Sequence, residues 1–125
     1  MLWWNKKLSS TYLTLIFHLV MSKTIKWEGQ SGEMYKYWIL PIDASLKEEP
    51  GNYIFAKQTQ DGSWRPVYIG QTSNLDGRLS DHNEEKCAQR NGATHVHAHT
   101  SSSKEKVRRS EESDLIRRFQ PVCND

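Results

Sequence analysis

The stretch GNYIFAKQTQDGSWRPVYIG, residues 51–70, predicts a β-hairpin. Its outer runs, NYIFAK and WRPVYIG, are rich in the aromatic and β-branched side chains that favour strands. The pair Asp61-Gly62 between them is a strong turn signal, because glycine readily adopts the positive φ that tight hairpin turns require. The sequence therefore predicts a pair of antiparallel strands.

Two helices are predicted after the hairpin. Ser73 with Asp76, and Ser102 with Glu105, both have the spacing of a capping box. Each pair precedes a segment with apolar residues at helical intervals, and Pro121 ends the second segment. With a strand between the two helices, the predicted order is strand, strand, helix, strand, helix.

The intervening strand is ATHVHAHT, residues 93–100, in which His95, His97 and His99 would share one face. Three imidazoles on one face suggest a zinc site. Alternate residues of a single strand are about 7 Å apart, however, so these three cannot surround one ion. We therefore expect a solvated or DNA-facing surface, with one histidine at the rim of a site as the alternative.

The N-terminal part of the chain carries weaker signals. Residues 34–42, MYKYWILPI, predict a lead-in strand, and we assign residues 22–49 to this strand and a linker. Residues 1–21 are assigned to an N-terminal extension outside the domain. Their apolar run is interrupted and too short to span a bilayer, which argues against a membrane anchor. Export or anchoring is the competing interpretation, and translation starting at Met21 is a further one.

Composition fits one small domain and no membrane association, with 125 residues of which 36% are hydrophobic and 26% charged. The net charge of +2 does not indicate nucleic-acid binding by itself, although six basic residues crowd into residues 104–118. Cys87 and Cys123 are far apart and have no CxxC partner. This pattern predicts free thiols in a reducing cytoplasm.

Five motifs in one order resemble the GIY-YIG nuclease family: GNY at 51–53, YIG at 68–70, Arg78, Glu112 in ESDLIRRF and Asn124 in PVCN. The resemblance covers about residues 50–125. It implies an α+β domain with a small three-stranded antiparallel sheet flanked by helices. This sequence departs from the family pattern at Asn52, where an apolar residue is usual, and in its long hairpin, with fourteen residues between Tyr53 and Tyr68.

The family pattern also implies a set of site residues: Tyr53 and Tyr68 beside the scissile phosphate, Arg78 in contact with it, Glu112 holding a divalent metal, and Asn124 as a buttress. Glu112 rather than Glu111 has the family spacing to Leu115. His82, one helical turn after Arg78, is a further candidate for proton relay. Without the family match, the tyrosines would be ordinary sheet aromatics and the charged residues ordinary surface pairs.

These residue types suit phosphodiester hydrolysis, which needs an activated water, a counter-charge for the transition state and stabilisation of the leaving oxygen. The resemblance therefore implies a metal-dependent DNA endonuclease using Mg²⁺, or alternatively Mn²⁺. Repair, mobile-element and defence roles all fit. The alternative is a non-cleaving nucleic-acid-binding or structural module of the same fold. The sequence contains no recognisable DNA-recognition motif, so a recognition-domain protein or a homodimer is the expected source of any specificity.

Overall fold

The computed structural model describes residues 23–80 and 82–124, without the side chains of residues 78–80 and 82. The strands are β1 (Thr24–Glu28), β2 (Met34–Pro41), β3 (Gly51–Gln58), β4 (Trp64–Thr72) and β5 (His95–Thr100). The α-helices are α1 (His82–Arg90) and α2 (Glu105–Phe119), and short 3₁₀ helices span Leu75–Ser80 and Val122–Asn124. The predicted N-terminal extension lies outside the described residues.

The five strands form one sheet in the order β1-β2-β5-β3-β4, and every neighbouring pair is antiparallel. The prediction of three strands was therefore wrong in number, although the α+β class is confirmed. β3, β4 and β5 are the predicted three, and β1 and β2 extend them across β5. Without β2, the edge of β5 opposite β3 would expose a row of backbone N–H and C=O groups. Pairing with β2 satisfies these groups.

The predicted hairpin is formed by β3 and β4. Its turn closes where the Thr59 N–H donates to the Ser63 carbonyl oxygen at 2.8 Å, and Gly62 has a φ of +87°. Tyr53 lies opposite Gly70, and the register shifts once, between Phe55 and Ala56. The hairpin thus brings both family motifs to the same end of the sheet.

Helices cover the two faces of β3 separately, so this strand is buried on both sides. On one face Phe55 belongs to the same buried cluster as Leu75 and Ala88, which lie in the first 3₁₀ helix and α1. On the other face Ile54 clusters with Leu115 of α2. The sheet therefore forms the middle layer, with the C-terminal helix α2 packed on one side.

The helix starts differ from the capping-box prediction. Ser102 Oγ accepts from the Lys104 N–H, and Lys104, not Ser102, is the N-cap of α2. Before the first helix, Asn74 Oδ1 accepts from the Asp76 N–H. Asparagine is as good a cap as serine, and its side-chain oxygen reaches this N–H two residues away.

The expectation that the three histidines form a solvated or DNA-facing surface was wrong for His97. This side chain is 0% exposed and lies between the indole rings of Trp27 and Trp64, with ring centroids 5.7 and 4.8 Å away. Trp27 belongs to β1, a strand that the sequence analysis did not predict. The added strand covers a histidine that would otherwise face solvent.

The prediction of free thiols was also wrong, because Cys87 and Cys123 form a disulfide with Cα atoms 5.9 Å apart. The two cysteines are separated by 36 positions in the sequence. The bond ties α1 to the C-terminal 3₁₀ helix, which carries Asn124.

Candidate active site

The candidate site is built on the free edge of the sheet. β4 is the last strand, so alternate residues of β4 direct their backbone N–H and C=O groups away from β3. Ile69 and Gln71 are two such residues, and they flank Gly70 of the YIG motif. Backbone groups at such an edge need partners, and two predicted site residues supply them here.

Asn124 satisfies Ile69 in the way that a neighbouring strand would. Its Oδ1 accepts from the Ile69 N–H at 2.9 Å, and its Nδ2 donates to the Ile69 carbonyl oxygen at 2.8 Å. The C-terminal 3₁₀ helix presents this side chain directly after α2 and Pro121. The two bonds hold the backbone between Tyr68 and Gly70 in place, a geometry suited to the expected buttress.

Glu112 lies two residues further along the same edge. The Gln71 N–H lies close enough to this half-buried carboxylate of α2 to stabilise its charged form. Burial raises the pKa of Glu112 above its usual value, while Arg109 and the Gln71 N–H act in the opposite direction. Glu112 therefore lies beside the end of β4, where a bound cation would offset the desolvation of its charged form.

The two tyrosines lie on the face of the sheet that packs against α1. Tyr53 is 7% exposed and Tyr68 is half-buried, and their ring centroids are 6.0 Å apart. A Cβ atom at Gly70 would lie only 2.8 Å from Tyr53 Oη and from Tyr68 Cε2. Glycine at this position thus lets the hydroxyl end of Tyr53 approach the backbone of β4.

The remaining candidates are only partly described. The backbone of Arg78 belongs to the Leu75–Ser80 3₁₀ helix, and His82 is the first residue of α1. Their side chains lie outside the described residues. The 3₁₀ helix itself is attached to the chain before β3, because the Leu75 N–H donates to the Glu49 carbonyl oxygen at 2.9 Å.

Glu111, which the family spacing left aside, has different surroundings from Glu112. Its Oε2 accepts from the Tyr37 hydroxyl at 2.6 Å and lies 2.7 Å from His99 Nε2. Burial and this carboxylate raise the pKa of Tyr37 well above its usual value. Glu111 is therefore engaged by side chains of β2 and β5, whereas Glu112 faces the strand edge.

Sequence reasoning missed a buried polar cluster behind the edge. Asn52, the departure from the family pattern, is 0% exposed, and its Nδ2 donates to the Arg108 carbonyl oxygen at 3.0 Å. Ser101 Oγ in turn donates to Asn52 Oδ1 at 2.8 Å. An amide where an apolar residue is usual was the only sequence signal of this cluster.

The donor chemistry of the site fits a weakly coordinated hard cation. In the described part of the chain, no three His, Cys, Asp or Glu residues are grouped so that they could hold a metal ion. Glu112 would therefore be a single carboxylate ligand. Mg²⁺ is commonly held in this way, by one or two carboxylates together with waters and substrate phosphates.

Within the described ranges, no helix is long and apolar enough to cross a membrane.

Comparisons with known proteins identify the family of this chain and a solved structure to which it is similar. A family model described as the GIY-YIG catalytic domain matches residues 50–123. The chain is similar to the crystal structure of the GIY-YIG N-terminal endonuclease domain of UvrC from Thermotoga maritima, bound to its catalytic magnesium, with 29% identity and a TM-score of 0.50. That match covers 63% of this chain and 86% of the other. Among curated proteins there is no significant match. The chain belongs to the GIY-YIG family of nucleases.

Proposed function

We propose that this protein is a metal-dependent endonuclease that hydrolyses DNA phosphodiester bonds at the end of β4. One observation carries the proposal: side chains from three separate elements converge on three consecutive residues of that strand. Tyr53 from β3 reaches Gly70, Glu112 from α2 reaches Gln71, and Asn124 from the C-terminal 3₁₀ helix reaches Ile69. The match to a magnesium-bound endonuclease domain supports the same chemistry.

Each residue has a proposed role that follows from its chemistry. Tyr68, the more exposed phenol, would lose its proton beside the cation and, as the phenolate, accept a proton from the attacking water, while the buried Tyr53 positions the phosphate. Arg78 would contact the scissile phosphate, since its planar guanidinium matches phosphate oxygens, and His82 would relay a proton. A divalent cation, Mg²⁺ or Mn²⁺, bound at Glu112 would supply positive charge to stabilise the leaving oxygen. Asn124 would keep the strand end rigid.

The decisive experiment removes the carboxylate of Glu112. Supercoiled, branched and single-stranded DNA are incubated with wild type and with Glu112→Gln, with and without Mg²⁺ or Mn²⁺. We expect the variant to lose cleavage and to retain DNA binding, because the amide keeps the shape but not the charge that holds a cation. Glu105→Gln is the matched control, since Glu105 is an exposed residue of the same helix.

Two outcomes would contradict the proposal in different ways. Undiminished cutting by Glu112→Gln in Mg²⁺ would remove the metal-ligand assignment. Wild type that binds all three DNA forms and cuts none of them would instead favour the non-cleaving module.

A further inference from the structure

We propose that Arg108 is a positioning residue for Glu112. It ties α2 to the end of β4 through Gln71, so that the carboxylate is presented at the strand edge where the cation would bind. This inference depends on the proposed function only for the identity of Glu112 as the metal ligand.

Arg108 is a buried cation held by uncharged oxygens. It is 3% exposed, its Nε donates to Gln71 Oε1 at 2.9 Å, and its Nη1 donates to the Ser102 carbonyl oxygen at 2.9 Å. No carboxylate in the described ranges lies within ion-pair distance of it. A buried charge without an opposite charge is costly. The two acceptors that hold this charge lie on different elements, Gln71 on β4 and Ser102 before α2, so the buried guanidinium links these elements.

The main chain of Arg108 is hydrogen-bonded to the sheet as well as its side chain. Its carbonyl oxygen accepts from Asn52 of β3, and Ser101 fixes that amide from the other side. Its guanidinium is bound to Gln71 of β4. Arg108 therefore connects α2 to both strands of the hairpin, and these contacts restrict rotation and sliding of the helix on the sheet.

The connection bears directly on Glu112. Residues four apart on a helix lie on the same face, so Arg108 and Glu112 approach the sheet together. Both lie against the same residue of β4: the Gln71 side chain accepts from Arg108, and the Gln71 backbone N–H stabilises the charge of Glu112. A shift of α2 after loss of the first contact would move the carboxylate away from the second.

Direct metal binding tests the inference without relying on catalysis. Mn²⁺ is titrated into wild type, Arg108→Gln, Gln71→Met and Glu112→Gln, and free Mn²⁺ is measured by electron paramagnetic resonance well below each thermal midpoint. We expect a dissociation constant about 10- to 100-fold higher for Arg108→Gln, the usual effect of losing a residue that orients a metal ligand. Gln71→Met keeps the backbone N–H but removes the acceptor of Arg108, and it should raise the dissociation constant for Mn²⁺ as well. Arg118→Gln, an exposed arginine of the same helix, should leave it unchanged.

A purely structural role makes the opposite prediction. It lowers the thermal midpoint of Arg108→Gln but leaves the Mn²⁺ affinity of the folded protein at the wild-type value, and this result would overturn the inference. If Arg108→Gln does not fold, Gln71→Met decides by the same criterion. Wild type that binds Mn²⁺ through Glu112 but cuts no DNA would refute only the nuclease. Wild type without Mn²⁺ binding would overturn the role of Arg108 together with the metal assignment.

Discussion

The buried His97 makes the stability of this domain depend on pH below neutrality. Burial lowers its pKa from 6.5 to about 3, and the neighbouring His95 acts in the same direction. The Trp27 Nε1–H donates to His97 Nδ1 at 3.1 Å, so the neutral ring carries its proton on Nε2. A second proton on Nδ1 would meet the indole N–H and break this bond. Protonation of His97 is therefore strongly disfavoured in the folded state.

The size of the effect follows from the two pKa values. In the unfolded chain His97 takes up a proton near pH 6.5, whereas in the folded protein it stays neutral down to about pH 3. Between these values the unfolded state binds more protons, so the free energy of unfolding falls by about 1.4 kcal/mol per pH unit as the pH is lowered. Above pH 6.5 the penalty is absent. Between pH 7 and pH 5 the loss is about 2 kcal/mol.

Urea unfolding at pH 7, 6 and 5 measures this loss, with His97→Gln as the comparison. Glutamine does not titrate, and its amide oxygen can accept the Trp27 N–H. The carboxylates and the other histidines titrate in both proteins, so their contributions largely cancel. We expect wild type to lose about 2 kcal/mol more than the variant between pH 7 and pH 5. Parallel stability curves for the two proteins would refute the reasoning.

Three further predictions concern the site and its support. Arg78→Lys should bind DNA nearly normally but cut about a hundredfold to a thousandfold more slowly in single turnover, since the planar donor pair of arginine is lost. Arg90→Lys on α1 is the control. Equal cleavage rates for the two variants would exclude a transition-state contact of Arg78. Asn124→Ala removes both bonds to the Ile69 backbone and should lower the free energy of unfolding by about 1–3 kcal/mol; an unchanged urea midpoint would argue against Asn124 as the buttress of this strand. Reduction of the disulfide by dithiothreitol should lower the free energy of unfolding by about 2–4 kcal/mol. A Cys87→Ser variant should have the same free energy of unfolding as the reduced protein, and dithiothreitol should not change it.

Local sequence was enough to predict the β3–β4 hairpin and the family. The turn at Asp61-Gly62 depends on neighbouring residues alone, and the alternation of apolar side chains on either side of it is a local property of strands. The family motifs are equally local, because each is a short run whose order along the chain can be recognised without coordinates. The class of fold and the candidate site residues were therefore accessible from the sequence.

The tertiary structure alone decided which residues surround these elements. His97 is covered by Trp27, which is 70 positions away, and Asn52 binds the backbone of Arg108, which is 56 positions away. Periodicity within a window of residues contains no information on such pairs, because strand order and helix docking bring them together only after folding. For the same reason Cys87 and Cys123 looked unpaired in the sequence and are bonded in the fold. The sequence by itself determined the chemistry that the strand edge could hold, and the packing of distant elements determined the burial, pairing and orientation of its residues.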